Sequence, residues 1–374
     1  FTARGRATYP DRVERSPQRP PAEQRWADEL ARLADDDEGA ARPPGWRLSM
    51  PAVRRFVLGD AARSIRPKIV GPPSAIDRAM VTLATQRGLM LVGAPGTAKS
   101  LLAELLAAAI SGRSTLTIQG GAATTEDHIL YGWNYALLVA EGPSERSLVP
   151  APILEGMRAG AIVRFEEITR CPIEVQDALL SVLSERTLTV PEMGETVFAS
   201  EGFNVIATAN TRDRGVNETS DALKRRFNFE TMFPIADFRA ELALVKRESS
   251  ELLARSGVPE ALPDDALEVI VETFRALRDE IAEAGHEGAA MSTAECVSVA
   301  HAVGVRACFA RGGAAGPAEL MGDFVEHLAG AAAEGDALRR VRRHLEQRAS
   351  RREGEMWEAL HASKHRLPSP GSID

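Results

Sequence analysis

Between Gly88 and Leu102 the chain reads GLMLVGAPGTAKSLL: an apolar run, a turn carrying Gly93 and Gly96, then a stretch dense in leucine and alanine. A strand, a glycine-bearing loop and a helix in that order build a phosphate cradle, because glycine lets backbone N–H groups turn toward a polyphosphate. The helix that follows adds its unpaired N-terminal amides and the positive end of its dipole. The residue pair Lys99-Ser100 closes the loop, as a lysine on the β- and γ-phosphates and a hydroxyl on magnesium would. The strict pattern G-x-x-x-x-G-K-[ST] fails at one position, where Ala98 replaces glycine. Ala98 is read as lying at the helix start with negative φ, where alanine is sterically acceptable and favours the helix.

This unit needs a parallel sheet around it, and the flanking sequence supplies one. Short apolar runs at Leu89–Val92, Ser114–Ile118, Ala161–Phe165, Val205–Ala209 and Asn228–Met232 alternate with helical stretches, as in βαβ units. Helices are expected over Ser100–Ile110 and Ile173–Leu183. After Pro234 no strand-like run recurs, and amphipathic stretches such as Leu267, Ile270, Val271, Phe274, Leu277 and Ile281 take over. The expected fold class is α/β, a P-loop NTPase parallel sheet flanked by helices, followed by a smaller all-helical lid domain. The expected divisions are an N-terminal extension, partly helical, over 1–60, a nucleotide-binding domain over 61–235, and the lid with a C-terminal tail over 236–374. Residues 1–45, rich in Pro, Arg and Asp with one helical stretch from Ala22 to Leu33, read as an extension with little core of its own.

Further motifs complete the chemistry. Ala161–Glu167 reads as a strand ending in two carboxylates. Glu166 would hold the magnesium hydration shell, and Glu167 would orient and deprotonate an attacking water. Arg164 interrupts this strand and must find a partner or an exit. The strand Phe203–Asn210 ends in Asn210, an amide able to bond both a γ-phosphate and the water. In ALKRRF, residues 222–227, Arg226 is the choice for a guanidinium reaching a neighbouring subunit's γ-phosphoryl group, with Arg225 the alternative. The candidate nucleotide contacts are Gly93, Pro95, Gly96, Thr97, Ala98, Lys99, Ser100 and Leu101; the metal ligands are Ser100 and Glu166; the catalytic set is Glu167, Asn210 and Arg226. The expected cofactors are ATP and Mg2+.

Taken together, GAPGTAKS, the Glu166-Glu167 strand, ITRCPIEVQDALL, ATANT and ALKRRF resemble the AAA+ ATPases of the MoxR family over roughly residues 65–235. In that family the motif lysine is often preceded by alanine. The acidic pair is followed there by an Asn-Arg-Ala-Pro-type stretch and a Gln-x-Ala-Leu-Leu helix, where this chain has Thr169-Arg170-Cys171-Pro172 and Gln176-Asp177-Ala178-Leu179-Leu180. The resemblance implies a homo-oligomeric, commonly hexameric ring with ATP between subunits and a chaperone-like role, often beside a von Willebrand factor A domain partner. It also implies that Arg186–Glu195 forms a hairpin before the Asn210 strand. The stretch Gly120–Tyr135 would face the ring interior, with Trp133 and Tyr135 either touching substrate or packing in the core. Two departures matter. The first acid is usually aspartate in relatives, whereas Glu166 is one methylene longer; and Ala294 stands where relatives often carry a lid arginine. Ser292 and Glu295 still form a capping box. These departures keep open an ATP-controlled scaffold with weak hydrolysis, and the shared core motifs keep open a DNA motor or a metal chelatase subunit.

A net charge of -8 gives no global pull toward nucleic acid. The arginine-rich segment 338–352 is read as a solvated or subunit-facing helix, because neither a basic domain nor a reading motif accompanies it. Cys171, Cys296 and Cys308 lie far apart without metal-ligand spacing, which fits free thiols and a cytoplasmic location. The longest apolar run, Leu101–Ile110, is too short to span a bilayer and contains Glu104.

Overall fold

The computed structural model describes residues 19–210, 219–283, 291–313, 315–331, 335–347 and 349–368. Its strands are β1 (Gly88–Gly93), β2 (Thr117–Gln119), β3 (Tyr131–Trp133), β4 (Leu148–Pro150), β5 (Ile162–Glu166), β6 (Thr187–Val190), β7 (Glu195–Phe198), β8 (Asn204–Asn210) and β9 (Phe227–Met232). The main sheet runs β2-β5-β8-β1-β9 with every pairing parallel. Two small antiparallel hairpins, β3-β4 and β6-β7, stand apart from it. The second is the hairpin expected around Arg186–Glu195.

Alternation along β1 explains the layering. Leu89 and Leu91 point to one core, and Met90 to the other. The first core lies under the helix Lys99–Ser111, whose residues from Leu102 to Ile110 are all buried. The second lies against the helix Pro152–Ala159 and the β6 strand. A third core belongs to the helical region after β9, built on the helices Phe238–Arg255, Asp264–Glu283, Thr293–Arg311 and Pro317–Ala331.

Several expectations change in detail. The helix foreseen over Ile173–Leu183 is two pieces, Ile173–Asp177 and Leu180–Ser184. The break coincides with a tight bond from Leu179 N to Gln176 O at 3.2 Å. The second strand is shorter and later than Ser114–Ile118, because the Ser114 backbone and hydroxyl are occupied by Glu23. The N-terminal segment has little core of its own and is seated on the main domain: Ala22, Trp26, Leu33, Trp46 and Leu48 join the first core beside Phe56 and Leu105. Residues 1–18 of that segment lie outside the described residues.

In the arginine-rich segment, Arg343 and Arg352 pair with Glu280 and Glu272 of the lid, and Arg342 donates to Pro368 O; Arg348 lies outside the described residues. Among the described residues no helix is long and apolar enough to cross a membrane.

Candidate functional site: a phosphate loop between sheet and lid

Parallel pairing puts every strand's C-terminal end on one edge of the sheet. The register there sets Gly93 beside Asn210, and Gln119 beside Glu166. Along this edge runs a cleft of about 470 Å³, lined by Pro95 through Leu101, Glu167, Thr208 and Asn210 on the sheet side. Its opposite wall is the lid, with Leu244, Thr293, Ala294 and Val297, and Ile69 and Val70 add apolar surface. A small-molecule site at the carboxyl edge of an open parallel sheet is where such folds place ligands.

The loop is held by its own atoms. Lys99 Nζ donates to Gly93 O at 3.0 Å and Ala94 O at 2.8 Å, and Thr97 Oγ1 donates to Ala94 O at 2.9 Å. At Gly96, with φ +73°, a side chain would collide with Ser292 of the lid: the added carbon would sit 2.1 Å from its Cβ. Ala98 does not begin the helix with negative φ, as expected; it is left-handed, φ 64°, and caps the helix from outside without a side-chain bond. The loop must reverse between Gly96 and Lys99, and this requirement overrides alanine's preference at about 1–2 kcal/mol. The helix is left with uncapped N-terminal amides facing the cleft, which suits an anion.

The acidic strand end meets this loop. Ser100 Oγ donates to Glu166 Oε2 at 2.6 Å, and Thr208 Oγ1 donates to the same oxygen at 2.8 Å. The Thr208 hydroxyl also accepts from Glu167 N at 3.0 Å, so one threonine on β8 ties both acids together. Arg164 finds its partner two residues on: its Nη2 lies 2.7 Å from Glu166 Oε1. Glu167, left-handed at φ 54°, lines the cleft, and its carboxylate is held by Arg170 Nε at 3.1 Å and Gln119 Nε2 at 3.3 Å, two residues outside the cleft lining. Such strain concentrates at functional sites.

The donor set fits magnesium, a hard cation that takes oxygen ligands and keeps several waters. A hydroxyl and a carboxylate provide only part of a coordination sphere, so substrate phosphates would have to supply more. No group of three or more His, Cys, Asp or Glu side chains able to hold a metal occurs among the described residues.

Arg226 stands elsewhere. Its Nε donates to Ser184 Oγ at 2.8 Å and its Nη1 to Ala222 O at 3.2 Å, and it does not line the cleft of its own chain. Arg225 is exposed beside it. Tyr135 begins a short helix and is 69% exposed, whereas Trp133 is half-buried and packs edge-on to Tyr131. Ala294 lines the cleft as a bare methyl. Below it, Arg275 and Arg278 are committed to the buried Glu241, which Thr293 Oγ1 also bonds at 2.6 Å.

Sequence reasoning missed Thr208 and Lys68. Lys68 lines the cleft, yet its ammonium is spent on Glu29 of the N-terminal segment and on Phe56 O. Burial pushes it below its ordinary value against the opposing pull of Glu29. A polar residue inside the otherwise apolar run Val205–Ala209 was the only available signal for Thr208.

Two family models match parts of the chain: the AAA domain of the dynein-related subfamily matches residues 88–227, and the YehL-like AAA+ ATPase C-terminal domain matches 239–367. The YehL protein of Escherichia coli strain K12 is 58% identical over 359 residues, covering 94% of this chain and 98% of that relative. The chain belongs to the YehL-like AAA+ ATPases. The SH1500 protein of Staphylococcus haemolyticus is 32% identical over 142 residues, 38% of this chain and 53% of that one. Among solved structures, NtrX from Brucella abortus in complex with ADP is similar at TM-score 0.43 and 14% identity, over 71% of this chain and 63% of NtrX. A putative ATPase from Cytophaga hutchinsonii is similar at TM-score 0.39 and 19% identity, over 77% of this chain and 84% of that one. The chain therefore spans nearly all of the E. coli relative but about half of the staphylococcal one.

Proposed function

We propose that this AAA+ chain binds ATP with Mg2+ in the cleft and hydrolyses it, within a cytoplasmic ring that remodels or assembles a protein partner. The observation that carries the reading is the 2.6 Å bond between Ser100 Oγ and Glu166 Oε2, which unites the phosphate loop and the acidic strand end at one sheet edge. Bound magnesium would neutralise charge developing on the transferred phosphoryl group. Around it, Lys99 and the helix amides hold phosphate oxygens, Glu167 takes the proton of the attacking water, and Asn210 orients that water. The motifs that resemble MoxR relatives support a hexameric ring and a von Willebrand factor A domain partner.

Arg226 acts from the neighbouring subunit in this reading, consistent with its place outside its own cleft. A second reading, an ATP-held scaffold with weak hydrolysis, is favoured by one observation: Ala294 offers the cleft no cation from the lid.

Complementation separates the two. Arg226→Ala and Glu167→Gln should each bind ATP and lose turnover, the arginine change by about a thousandfold or more. Mixed together, they should regain turnover, because one subunit brings an intact Glu167 and its neighbour an intact Arg226. Mixtures as inactive as their parts argue against an arginine acting in trans, and a wild type without appreciable turnover supports the scaffold.

A further inference from the structure

Arg164 is anomalous where it stands, a cation in a strand whose neighbours Val163 and Phe165 are fully buried. Residues i and i+2 of a strand share a face, so Arg164 and Glu166 lie side by side. Its Nη2 and Nε reach Glu166 Oε1 at 2.7 and 3.2 Å, while its Nη1 donates to Ser114 O at 3.0 Å. Ser114 is itself fixed from the N-terminal segment: its hydroxyl and backbone N–H donate to Glu23 Oε2 at 2.6 and 3.1 Å. The two oxygens of Glu166 are therefore divided, Oε1 to the guanidinium and Oε2 to Ser100 and Thr208.

We propose that Arg164 is a positioning residue for the magnesium site, holding Oε1 so that Oε2 alone faces the cation's coordination sphere. The proposal rests on the metal reading of Ser100 and Glu166 given above. A glutamate has one more torsion than an aspartate, and an unheld carboxylate would sample more positions. A cation on Ser100 would use a lone pair of its oxygen and leave the O–H donating to Glu166, so Ser100 and Thr208 hold Oε2 while Arg164 holds Oε1. The arginine thus sets how Oε2 is aimed, which matters to a bound cation and not to the phosphate loop. Lysine cannot substitute, because a point charge cannot serve Glu166 and Ser114 in one planar fork. The guanidinium also repels a nearby cation. If that repulsion governed the site, removing it would strengthen metal binding, so the two effects differ in sign.

Binding of a fluorescent mant-ATP, titrated with Mg2+ and repeated in EDTA, reads this directly. Arg164→Lys and Arg164→Met should both raise the Mg2+ midpoint, by about tenfold, the scale of lost outer-sphere support. Metal-free binding should stay within about twofold, since Lys99 and the loop amides are untouched. In a Glu166→Asp background the Arg164→Met effect should shrink, because the shorter acid no longer reaches the fork. An unchanged or lowered midpoint in both variants overturns the proposal, as does an equal loss of binding with and without metal, which marks general damage to the cleft. If Arg164→Met does not fold, Arg164→Lys decides. Wild-type binding that ignores Mg2+ defeats the metal reading itself, a result distinct from either.

Discussion

Gly96→Ala should loosen the lid, and the structure says by how much and through which atom. Gly96 has φ +73°, and a β-carbon there would lie 2.1 Å from Ser292 Cβ and 2.3 Å from Ser292 Oγ. The left-handed backbone alone costs alanine about 1–2 kcal/mol. Overlap with a packed neighbour adds about 1–3 kcal/mol. Ser292 cannot swing aside freely, because it caps the helix Thr293–Arg311: its Oγ accepts from Glu295 N at 3.2 Å, and its N donates to Glu295 Oε2 at 2.8 Å. Ser292→Gly removes both overlapping atoms, and glycine at an N-cap costs only about a few tenths of a kcal/mol relative to serine. The double variant should therefore recover the overlap and keep the backbone cost, a coupling of about 1–3 kcal/mol. Hydrogen exchange of the amides at 293–300 measures the lid's local opening directly. Effects that add to within about 0.5 kcal/mol would refute the claim that the lid rests on this glycine.

Three further outcomes follow from the same structure. Burial alone would raise the Glu241 carboxyl, but hydrogen bonds from Arg278, Thr293 and Arg275 hold it below the ordinary 4.5. Its stabilisation is therefore complete above about pH 4.5 and fades as pH falls through the lower folded value. Glu241→Gln should cost about 3–5 kcal/mol at neutral pH, with the gap to wild type closing in acid; a gap independent of pH counts against it. Ala98→Gly relieves a left-handed alanine at about 1–2 kcal/mol and gives back about 0.5–1 kcal/mol in backbone entropy, so the denaturation midpoint should rise slightly; a fall contradicts the strain. Trp26→Ala removes a side chain stacked edge-on to Phe56 at 6.1 Å and should cost about 3–5 kcal/mol in thermal unfolding; a loss under about 1 kcal/mol would mean that the N-terminal segment is peripheral.

What the sequence disclosed was what lies close along the chain. Gly93 through Ser100 are consecutive residues at the junction of β1 and its helix, so their spacing alone carries the expectation of a phosphate cradle. Glu166 and Asn210 were also legible, because parallel strands bring their C-terminal ends to one edge whatever their order. The role of Thr208 was not, since it depends on β8 lying between β1 and β5. That order is a non-local fact. Arg164 could have been paired with Glu166 from the two-residue period of a strand alone, but its apolar neighbours drew attention to its misfit. Ala98 was misjudged because helix propensity speaks for a residue's own preference, while the turn from Gly96 to Lys99 imposes a left-handed backbone. The attachment of the N-terminal segment was not legible in its average composition: its few large apolar residues, Trp26, Leu33 and Trp46, are the ones the first core takes.

In the proposed cycle, binding of ATP by Lys99 and its hydrolysis by Glu167 are separable steps. The direct measurement is ATP binding and phosphate release side by side for wild type, Lys99→Ala and Glu167→Gln. Lys99→Ala should lose binding and turnover together, whereas Glu167→Gln should bind as wild type does and lose turnover by about a hundredfold or more. Phosphate release that survives both substitutions would contradict that cycle.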